Sequence, residues 1–374
     1  MHRDPWTDTD HQHMRAALAL AERALCLSNP NPRVGCVIVD AQHTVLGEGH
    51  TQAVGRPHAE VMALRDAQAR GLSVAAATVY VTLEPCAHHG RTPPCADALV
   101  AAGVARVVIA SLDPNPLVAG RGVARLRQAG IEVQHGLLDA ASRQLNIGFF
   151  SRMLRQRPWV RMKMAASLDG ISALPNGQSQ WITSAAARAD GHAWRARACA
   201  VATGIGTVLS DDPRLDVRDA ATPRQPHLVL IDSRLQTPAD AALWRPERQV
   251  WLYHAQTRDA PTPPSAQRCT ALPNAQGKVD LPAMLRDLAA HEVNELHVEA
   301  GAALNASLLR EGCVDELLIY LAPKWLGQGQ GMSQFGPLTH LEQGLRLNWL
   351  EHRAVGEDWR VRATIERDDP DFNF

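Results

Sequence analysis

His58-Ala59-Glu60, Pro85-Cys86 and Pro94-Cys95 bring one imidazole, two thiols and a carboxylate into a single stretch of the chain. An imidazole nitrogen and two thiolates give zinc three tetrahedral ligands and leave the fourth position open to water, which separates a catalytic zinc from a closed structural one. Water held in that way is a nucleophile near neutral pH. With His58 and Glu60 in one helical turn, two residues rotate a side chain by about 200°, so the carboxylate is expected to point away from the imidazole. Glu60 therefore suits proton transfer better than coordination. The plainer reading is a structural zinc closed by His88 or His89, and it leaves Glu60 without a role.

The order His-x-Glu, Pro-Cys, Cys is that of zinc nucleobase deaminases, in which the glutamate is an acid/base and not a ligand. Those enzymes set their cysteines close together, whereas eight residues, Ala87 to Pro94, separate Cys86 from Cys95 here. The inserted loop is expected to line the substrate pocket.

A scaffold must hold these groups. Met14, Ala17, Leu18, Ala21 and Leu25 recur at helical spacing, which predicts a helix from about Asp10 until Asn29-Pro30-Asn31-Pro32 breaks it. Val34 to Val39 and Thr44 to Gly49 read as strands, and a helix opened by His58 closes near Gly71. Strand Thr78 to Leu83 leads to the first metal cysteine. Pro94 to Ala102, Arg106 to Ser111, Val123 to Ala129 and Ile131 to Gln134 then alternate helix, strand, helix, strand, which predicts a mixed or parallel sheet covered by helices. The metal ligands fall at expected helix N-termini, where the macrodipole and free N–H groups favour thiolate over thiol.

The pattern breaks at Ser151 to Pro158, a polar basic stretch ending in a helix breaker, which predicts the join between domains at 1–150 and 158–374. A soft prior of ~150 residues per domain also gives two. The second run has expected strands at Trp159 to Met164, Cys199 to Thr203, His227 to Ile231, Gln249 to Tyr253, Glu295 to Glu299 and Glu316 to Leu321. Helices are expected at Ala185 to Ala196, Pro282 to Ala290 and Asn305 to Arg310, and Pro261, Pro263, Pro264 and Pro273 mark a long irregular loop. Two strands run into glycine turns, Gly204-Ile205-Gly206-Thr207 and Ala300-Gly301-Ala302-Ala303-Leu304-Asn305. Neither is a full Gly-x-Gly-x-x-Gly, but together they point to a nucleotide-sized, phosphorylated ligand. Arg195, Arg214 and Arg218 offer bidentate contacts to an anion.

Lys+Arg 38 against Asp+Glu 39 gives net charge −1, so no global basic field exists to hold nucleic acid. A small-molecule substrate is expected instead. Cys26, Cys36, Cys199, Cys269 and Cys313 are scattered singly and read as small buried apolar residues in a reducing compartment. Met1 to Asp10 is polar and no apolar run approaches membrane-spanning length, so a cytoplasmic, non-membrane protein is expected, with a homo-oligomer left open.

At Pro85-Cys86-Ala87-His88-His89-Gly90-Arg91-Thr92-Pro93-Pro94-Cys95 the chain resembles the bifunctional deaminase-reductase family of riboflavin biosynthesis. The resemblance extends to Asn29-Pro30-Asn31-Pro32-Arg33-Val34-Gly35, Pro57-His58-Ala59-Glu60-Val61, Asp113-Pro114-Asn115-Pro116 and Leu145-Asn146-Ile147-Gly148-Phe149. In the second domain it rests on Ala166 to Gly170, Ser179 to Thr183, Gly206 to Pro213 and Val298 to Gly301, so about Met14 to Leu326 is covered. It implies an α/β chain with an N-terminal cytidine-deaminase-like zinc domain and a C-terminal dihydrofolate-reductase-like domain. The first would deaminate a diaminopyrimidine ribosyl phosphate and the second would use NADPH to reduce the ribose to ribitol.

Carried onto this chain, the resemblance implies one zinc on His58, Cys86 and Cys95 with Glu60 as proton shuttle, and places Asn31, His88 and Arg91 near the deaminase substrate. It implies NADPH contacts at Ala165, Trp181, Thr207, Asp211, Ser233 and the turn Gly301, Ala302, Ala303, Leu304, Asn305, Ala306 and Ser307. Substrate contacts fall on Ser179, Arg195, Leu215, Arg218 and Glu299. Asp211 is the candidate acid or base of the reduction, with Lys163 another polar group at that site. The chain departs from the family pattern at Thr51, where members often carry histidine, and at Gly301-Ala302-Ala303, where backbone-mediated phosphate binding tolerates alanine. The competing readings are a zinc deaminase acting on RNA, against which the charge and the few stacking aromatics argue, and a second domain that binds a nucleotide without reducing anything.

Overall fold

The structure is a computed structural model that describes residues 5–87, 93–116, 118–256 and 265–367. His88, His89, Arg91, Pro261, Pro263 and Pro264 lie outside the described residues. The chain divides into two compact units, one through Arg155 and one from Gln156 to Pro370.

The first unit begins with α1 (Asp8–Glu22), whose start is closed reciprocally: the Asp10 N–H donates to Thr7 Oγ1 at 3.1 Å and the Thr7 N–H to Asp10 Oδ2 at 3.0 Å. Then follow β1 (Gly35–Val39), β2 (Val45–His50), α2 (Ala59–Ala69), β3 (Thr78–Leu83), α3 (Cys95–Ala102), β4 (Arg106–Ser111), α4 (Arg121–Gln128), β5 (Glu132–His135), α5 (Asp139–Leu145) and α6 (Ile147–Arg155). The five-stranded sheet has the order β2-β1-β3-β4-β5, with β1 antiparallel to both neighbours and β3, β4 and β5 parallel. Its central strands are buried along their length, which explains why they read as continuous apolar runs. Gly47 lets α2 lie close on the sheet, since a Cβ there would sit 2.2 Å from the Ala63 carbonyl oxygen. That close approach holds α2, whose N-terminal end carries His58 and Glu60, against β2.

The expected linker at Ser151 to Pro158 is helical as far as Arg155. Burial of Phe149, Phe150 and Ser151 outweighs the polar composition, and Arg155 Nη2 donates to Ser151 Oγ one turn back at 2.7 Å.

The second unit comprises β6 (Trp159–Ser167), β7 (Ile171–Ala173), α7 (Ala185–Arg197), β8 (Ala200–Gly204), α8 (Ile205–Asp211), β9 (His227–Ile231), β10 (Val250–His254), β11 (Arg268–Ala271), α9 (Leu281–Ala290), β12 (Glu295–Val298), α10 (Ala302–Arg310), β13 (Glu316–Ala322), β14 (Gln330–Gly331), β15 (Leu347–Val355) and β16 (Asp358–Ile365). Its nine-stranded sheet has the order β11-β10-β9-β8-β12-β6-β13-β16-β15. Strands β11 through β13 in that order run parallel, and β16 and β15 close the edge antiparallel. The chain starts at β6, leaves outward from β8 to β11, and returns to β12 between β8 and β6. In a sheet wound this way ligands bind outside the carboxyl ends of the strands where the order reverses.

Candidate active sites

His58 is the N-cap of α2, Cys86 follows β3, and Cys95 is the first residue of α3. Their ligand atoms all lie within 4.8 Å of one another, with His58 Nδ1 at 3.7 Å from Cys86 Sγ and 3.3 Å from Cys95 Sγ. Tetrahedral zinc with the usual Zn–N and Zn–S bonds spaces such atoms roughly 3.6 Å apart, so the three donors fit that ion. A hydrogen bond from the Cys95 thiol holds Cys86 down at about 4, while that same bond and burial push Cys95 far above the ordinary thiol range.

Contrary to expectation, Cys86 is not at a helix N-terminus. It sits beside one instead: the Cys95 N–H, at the start of α3, donates to Cys86 Sγ at 3.3 Å and so still favours the thiolate. Glu60 also stands differently. His58 has extended backbone angles, φ −77° and ψ 172°, so the helical rotation does not relate it to Glu60. The Glu60 carboxylate lies within hydrogen-bond reach of the Cys95 thiol yet outside the triad of converging donor atoms. Burial, with a contribution from the Cys86 charge, pushes it up to about 7, the range of a group that both takes and returns a proton.

Two supports were not legible as such. Glu84, almost fully buried, accepts the N–H groups of Gly122 at 2.9 Å, Gly120 at 3.0 Å, Val123 at 3.2 Å and Asp113 at 3.3 Å. It ties the turn carrying Cys86 to the start of α4. Asn146 accepts the Arg33 N–H at 2.7 Å and donates to the Arg33 carbonyl at 2.9 Å, which fixes the loop carrying half-buried Asn31.

In the second unit a cleft of about 1210 Å³ opens at the carboxyl ends of β6, β8, β9 and β12. The two expected glycine turns face each other across it. A Cβ on Gly204 would meet Leu304 Cδ2 at 2.9 Å, and one on Gly301 would lie 3.9 Å from Thr207 Oγ1. Gly301 is the N-cap of α10, whose first N–H groups are free to meet a phosphate. The expected coenzyme positions Ala165, Trp181, Thr207, Asp211, Ser233, Gly301 to Asn305 and Ser307 all line the cleft, as do Ser179, Arg195, Leu215, Arg218 and Glu299. Ala306 does not; it is fully buried on the inner side of α10. Backbone and side chains together thus suit a dinucleotide and a second, anionic ligand.

Glu299 is the electrostatic centre of that cleft. It accepts from Nε and Nη2 of the Arg195 guanidinium, the latter at 2.9 Å, and faces Lys163 Nζ at 3.7 Å and His297 Nε2 at 3.4 Å. Burial works against its charge, but Arg195 and Lys163 outweigh it and hold Glu299 well below the carboxylate range. Burial depresses Lys163, against the upward pull of Glu299. Asp211, by contrast, ends α8 exposed to solvent. Arg214 and Arg218 are both paired with buried Asp216, at 2.6 Å and 2.8 Å.

Residues 158–361 match the family described as the RibD C-terminal domain, and residues 7–111 match that described as the cytidine and deoxycytidylate deaminase zinc-binding region. The riboflavin biosynthesis protein RibD of Escherichia coli (strain K12) is 45% identical over 363 residues, covering 93% of this chain and 97% of the relative. The protein of the same name from Aquifex aeolicus is 38% identical over 351 residues, covering 94% and 97%. Among solved structures, Acinetobacter baumannii RibD, form 1, matches with TM-score 0.86 at 40% identity, covering 96% of this chain and 99% of that one. A diaminohydroxyphosphoribosylaminopyrimidine deaminase/5-amino-6-(5-phosphoribosylamino)uracil reductase from Thermotoga maritima matches with TM-score 0.86 at 31% identity, covering 96% and 99%.

Proposed function

The chain belongs to the RibD family of bifunctional riboflavin-biosynthesis enzymes, and from that premise we propose how its own residues divide two consecutive reactions. The first is zinc-dependent hydrolytic deamination of 2,5-diamino-6-(5-phosphoribosylamino)pyrimidin-4-one by the cytidine-deaminase-like unit. The second is NADPH-dependent reduction of the ribosyl side chain by the dihydrofolate-reductase-like unit, giving 5-amino-6-(5-phosphoribitylamino)uracil.

His58, Cys86 and Cys95 hold the zinc, which when bound makes water nucleophilic near neutral pH. Glu60 takes a proton from the attacking water and returns it to the departing amino nitrogen, which leaves as ammonia. Its burial beside the three donor atoms is the observation that carries this assignment. Asn31, on a loop fixed through Arg33 by Asn146, is assigned to the deaminase substrate.

The residues lining the cleft of the second unit would hold NADPH, which when bound would supply the hydride that reduces C1′ of the ribose. Opening of the sugar ring then requires a proton at O4′. Lys163 suits that donation better than Asp211, because it is largely enclosed, depressed by burial, and oriented by Glu299, whereas Asp211 is exposed. The turn Gly301 to Asn305 and Thr207 receive the coenzyme phosphates. Arg218, with Arg214 beside it, faces the substrate phosphate. The singly scattered thiols suit a cytoplasmic enzyme.

The test is Glu60→Gln. It should keep one zinc per chain and reduce the deaminated intermediate normally, while ammonia release falls by about 10² to 10⁴. Ammonia release at the unaltered rate would remove Glu60 from the mechanism.

A further inference from the structure

The segment that presents the phosphate-facing arginines has no backbone ladder of its own. Between α8 and β9, no backbone-to-backbone hydrogen bond reaches Arg214, Leu215, Asp216, Val217 or Arg218 among the described residues. Four consecutive carbonyls accept from side chains instead. Arg248 Nη2 donates to that of Arg214 and Arg248 Nη1 to that of Leu215, while Arg195 Nη1 reaches that of Asp216 at 3.0 Å and Gln225 Nε2 that of Val217 at 2.8 Å. Gln225 Oε1 also accepts the Val217 N–H at 2.8 Å, and His192 Nδ1 accepts that of Arg218 at 3.4 Å. A loop built this way takes the shape that its side-chain partners impose.

At one point that shape is strained. Leu215 has φ +52°, in the left-handed region that residues other than glycine rarely adopt. Its side chain is nonetheless buried, in a cluster with Val208, Leu228 and Leu243. On either side of this turn Arg214 and Arg218 come back together on buried Asp216, at 2.6 Å and 2.8 Å. The carbonyls of Arg214 and Leu215 flank the Leu215 Cα, so one planar guanidinium bonded to both fixes the backbone angles there. That guanidinium belongs to Arg248.

Arg248 stands two residues before β10 and does not line the cleft, so it touches neither substrate nor coenzyme. Its terminal nitrogens go to backbone carbonyls rather than to a carboxylate. Burial lowers its pKa to about 10, against the pull of Asp216 and with Arg195 and Arg214 pushing the same way, so it stays cationic at neutral pH. We propose that Arg248 is a positioning residue of the reductase: by clamping the left-handed turn at Leu215 it holds Arg214 and Arg218 where they meet the substrate phosphate. Arginine suits the task because its rigid fork reaches two carbonyls at once, whereas an ammonium is a single point charge. The inference rests on the reading of Arg218 as facing that phosphate.

The experiment compares Arg248→Met, Arg248→Lys, Arg218→Ala and the double variant Arg218→Ala/Arg248→Met in the full chain. NADPH oxidation gives kcat and the KM values of the deaminated intermediate and of NADPH. Arg248→Met should raise the intermediate's KM about tenfold, as loss of charge-assisted hydrogen bonds implies, with kcat and the NADPH KM within about twofold. Arg248→Lys should recover about half of that loss on a logarithmic scale. Because Arg248 acts through the loop, the double variant should lie within about threefold of Arg218→Ala instead of multiplying the two effects. A fall in kcat at constant KM, an NADPH KM that rises in step, or full multiplication in the double variant would overturn the proposal. If Arg248→Met does not fold, Arg248→Lys decides alone: a raised intermediate KM at constant NADPH KM supports the clamp, and an unaltered one removes it. Arg218→Ala separates the premise. A raised KM there beside an unaltered one in Arg248→Met sinks only the positioning role, whereas an unaltered KM in Arg218→Ala sinks the phosphate reading itself.

Discussion

Arg195 grips Glu299 with two nitrogens, Nη2 to Oε2 at 2.9 Å and Nε to Oε1, while its remaining arm, Nη1, donates to the Asp216 carbonyl at 3.0 Å. A guanidinium committed in that way orients the cleft more than it clamps a phosphate. It also sets the charge felt by Lys163, which burial depresses, Glu299 raises and Arg195 depresses further.

The two partners should therefore move the reductase pH profile in opposite directions. If Lys163 is the proton donor, its ammonium form is the active one and the alkaline limb of NADPH oxidation reports its loss. Glu299→Gln removes the raising charge, so that limb should shift to lower pH. Arg195→Ala removes a depressing charge and should shift it upward. Deamination by the other unit serves as the internal control in both. Profiles that lose height without moving would take Lys163 out of the donor role.

Glu84 leads to a second expectation. Four backbone N–H groups converge on its carboxylate two residues before Cys86, and Gly122 comes so close that an added Cβ would sit 2.0 Å from the Pro85 carbonyl oxygen. Glu84→Ala should free the Cys86 turn and weaken zinc binding by about 10- to 100-fold, the usual effect of losing a group that orients a ligand. Gly122→Ala should act in the same direction by prising the turn from α4. Zinc competition titration checks both, with NADPH oxidation unchanged. Unaltered zinc affinity in the two variants would reduce Glu84 to a loop anchor.

The sequence exposed the parts of this architecture that rest on apolar runs and on donor spacing. Strands Thr78–Leu83, Arg106–Ser111 and His227–Ile231 stand where their patterns put them, and His58, Cys86 and Cys95 converge. What stayed hidden depends on partners distant in the chain. Helix α6 carries a polar basic surface, and only burial of Phe149 and Phe150 makes it a helix. Hairpin β15–β16 is an edge whose first strand is largely exposed, so no alternation marks it. Glu299 was visible as a residue but not as the meeting point of Arg195, Lys163 and His297, which arrive from different strands and a helix. Asn146 and Glu84 act through backbone groups, and composition carries no signal for that.

His192 yields a prediction through its tautomer. Its Nδ1 accepts the Arg218 N–H at 3.4 Å, so the proton sits on Nε2, which donates to Asp219 Oδ2 at 3.1 Å. Burial, with Arg195 and Arg218 nearby, keeps the ring below the ordinary histidine range and therefore neutral. The ring thus ties α7 to the loop that presents Arg218. Asparagine preserves an acceptor near Nδ1 and glutamine a donor near Nε2. Both variants should raise the KM of the reductase substrate, by about tenfold for His192→Gln and less for His192→Asn, with kcat within about twofold. A fall in kcat at constant KM would contradict this positioning role.

The deepest charges of the second unit make its stability depend on acid in a way that can be read from one residue. Glu316, with no exposed surface, accepts from Trp159 Nε1 at 2.9 Å and Arg362 Nε at 2.8 Å and pairs with Arg161 Nη2 at 2.9 Å. Burial raises its pKa, but the charges of Arg161 and Arg362 outweigh that and leave it at about 2. A folded-state value below the unfolded one gives stability that is complete above the unfolded carboxylate range. That stability drains away as pH falls from about 4.5 towards 2, and the loss is on the order of 3 kcal/mol. Glu316→Gln should melt lower than the unaltered chain at neutral pH, because Arg161 and Arg362 lose a buried counter-charge. Its acid slope should be shallower, so the two Tm curves converge as pH drops. Parallel curves, with the gap unchanged down to pH 3, would show that Glu316 does not carry the acid dependence of this unit.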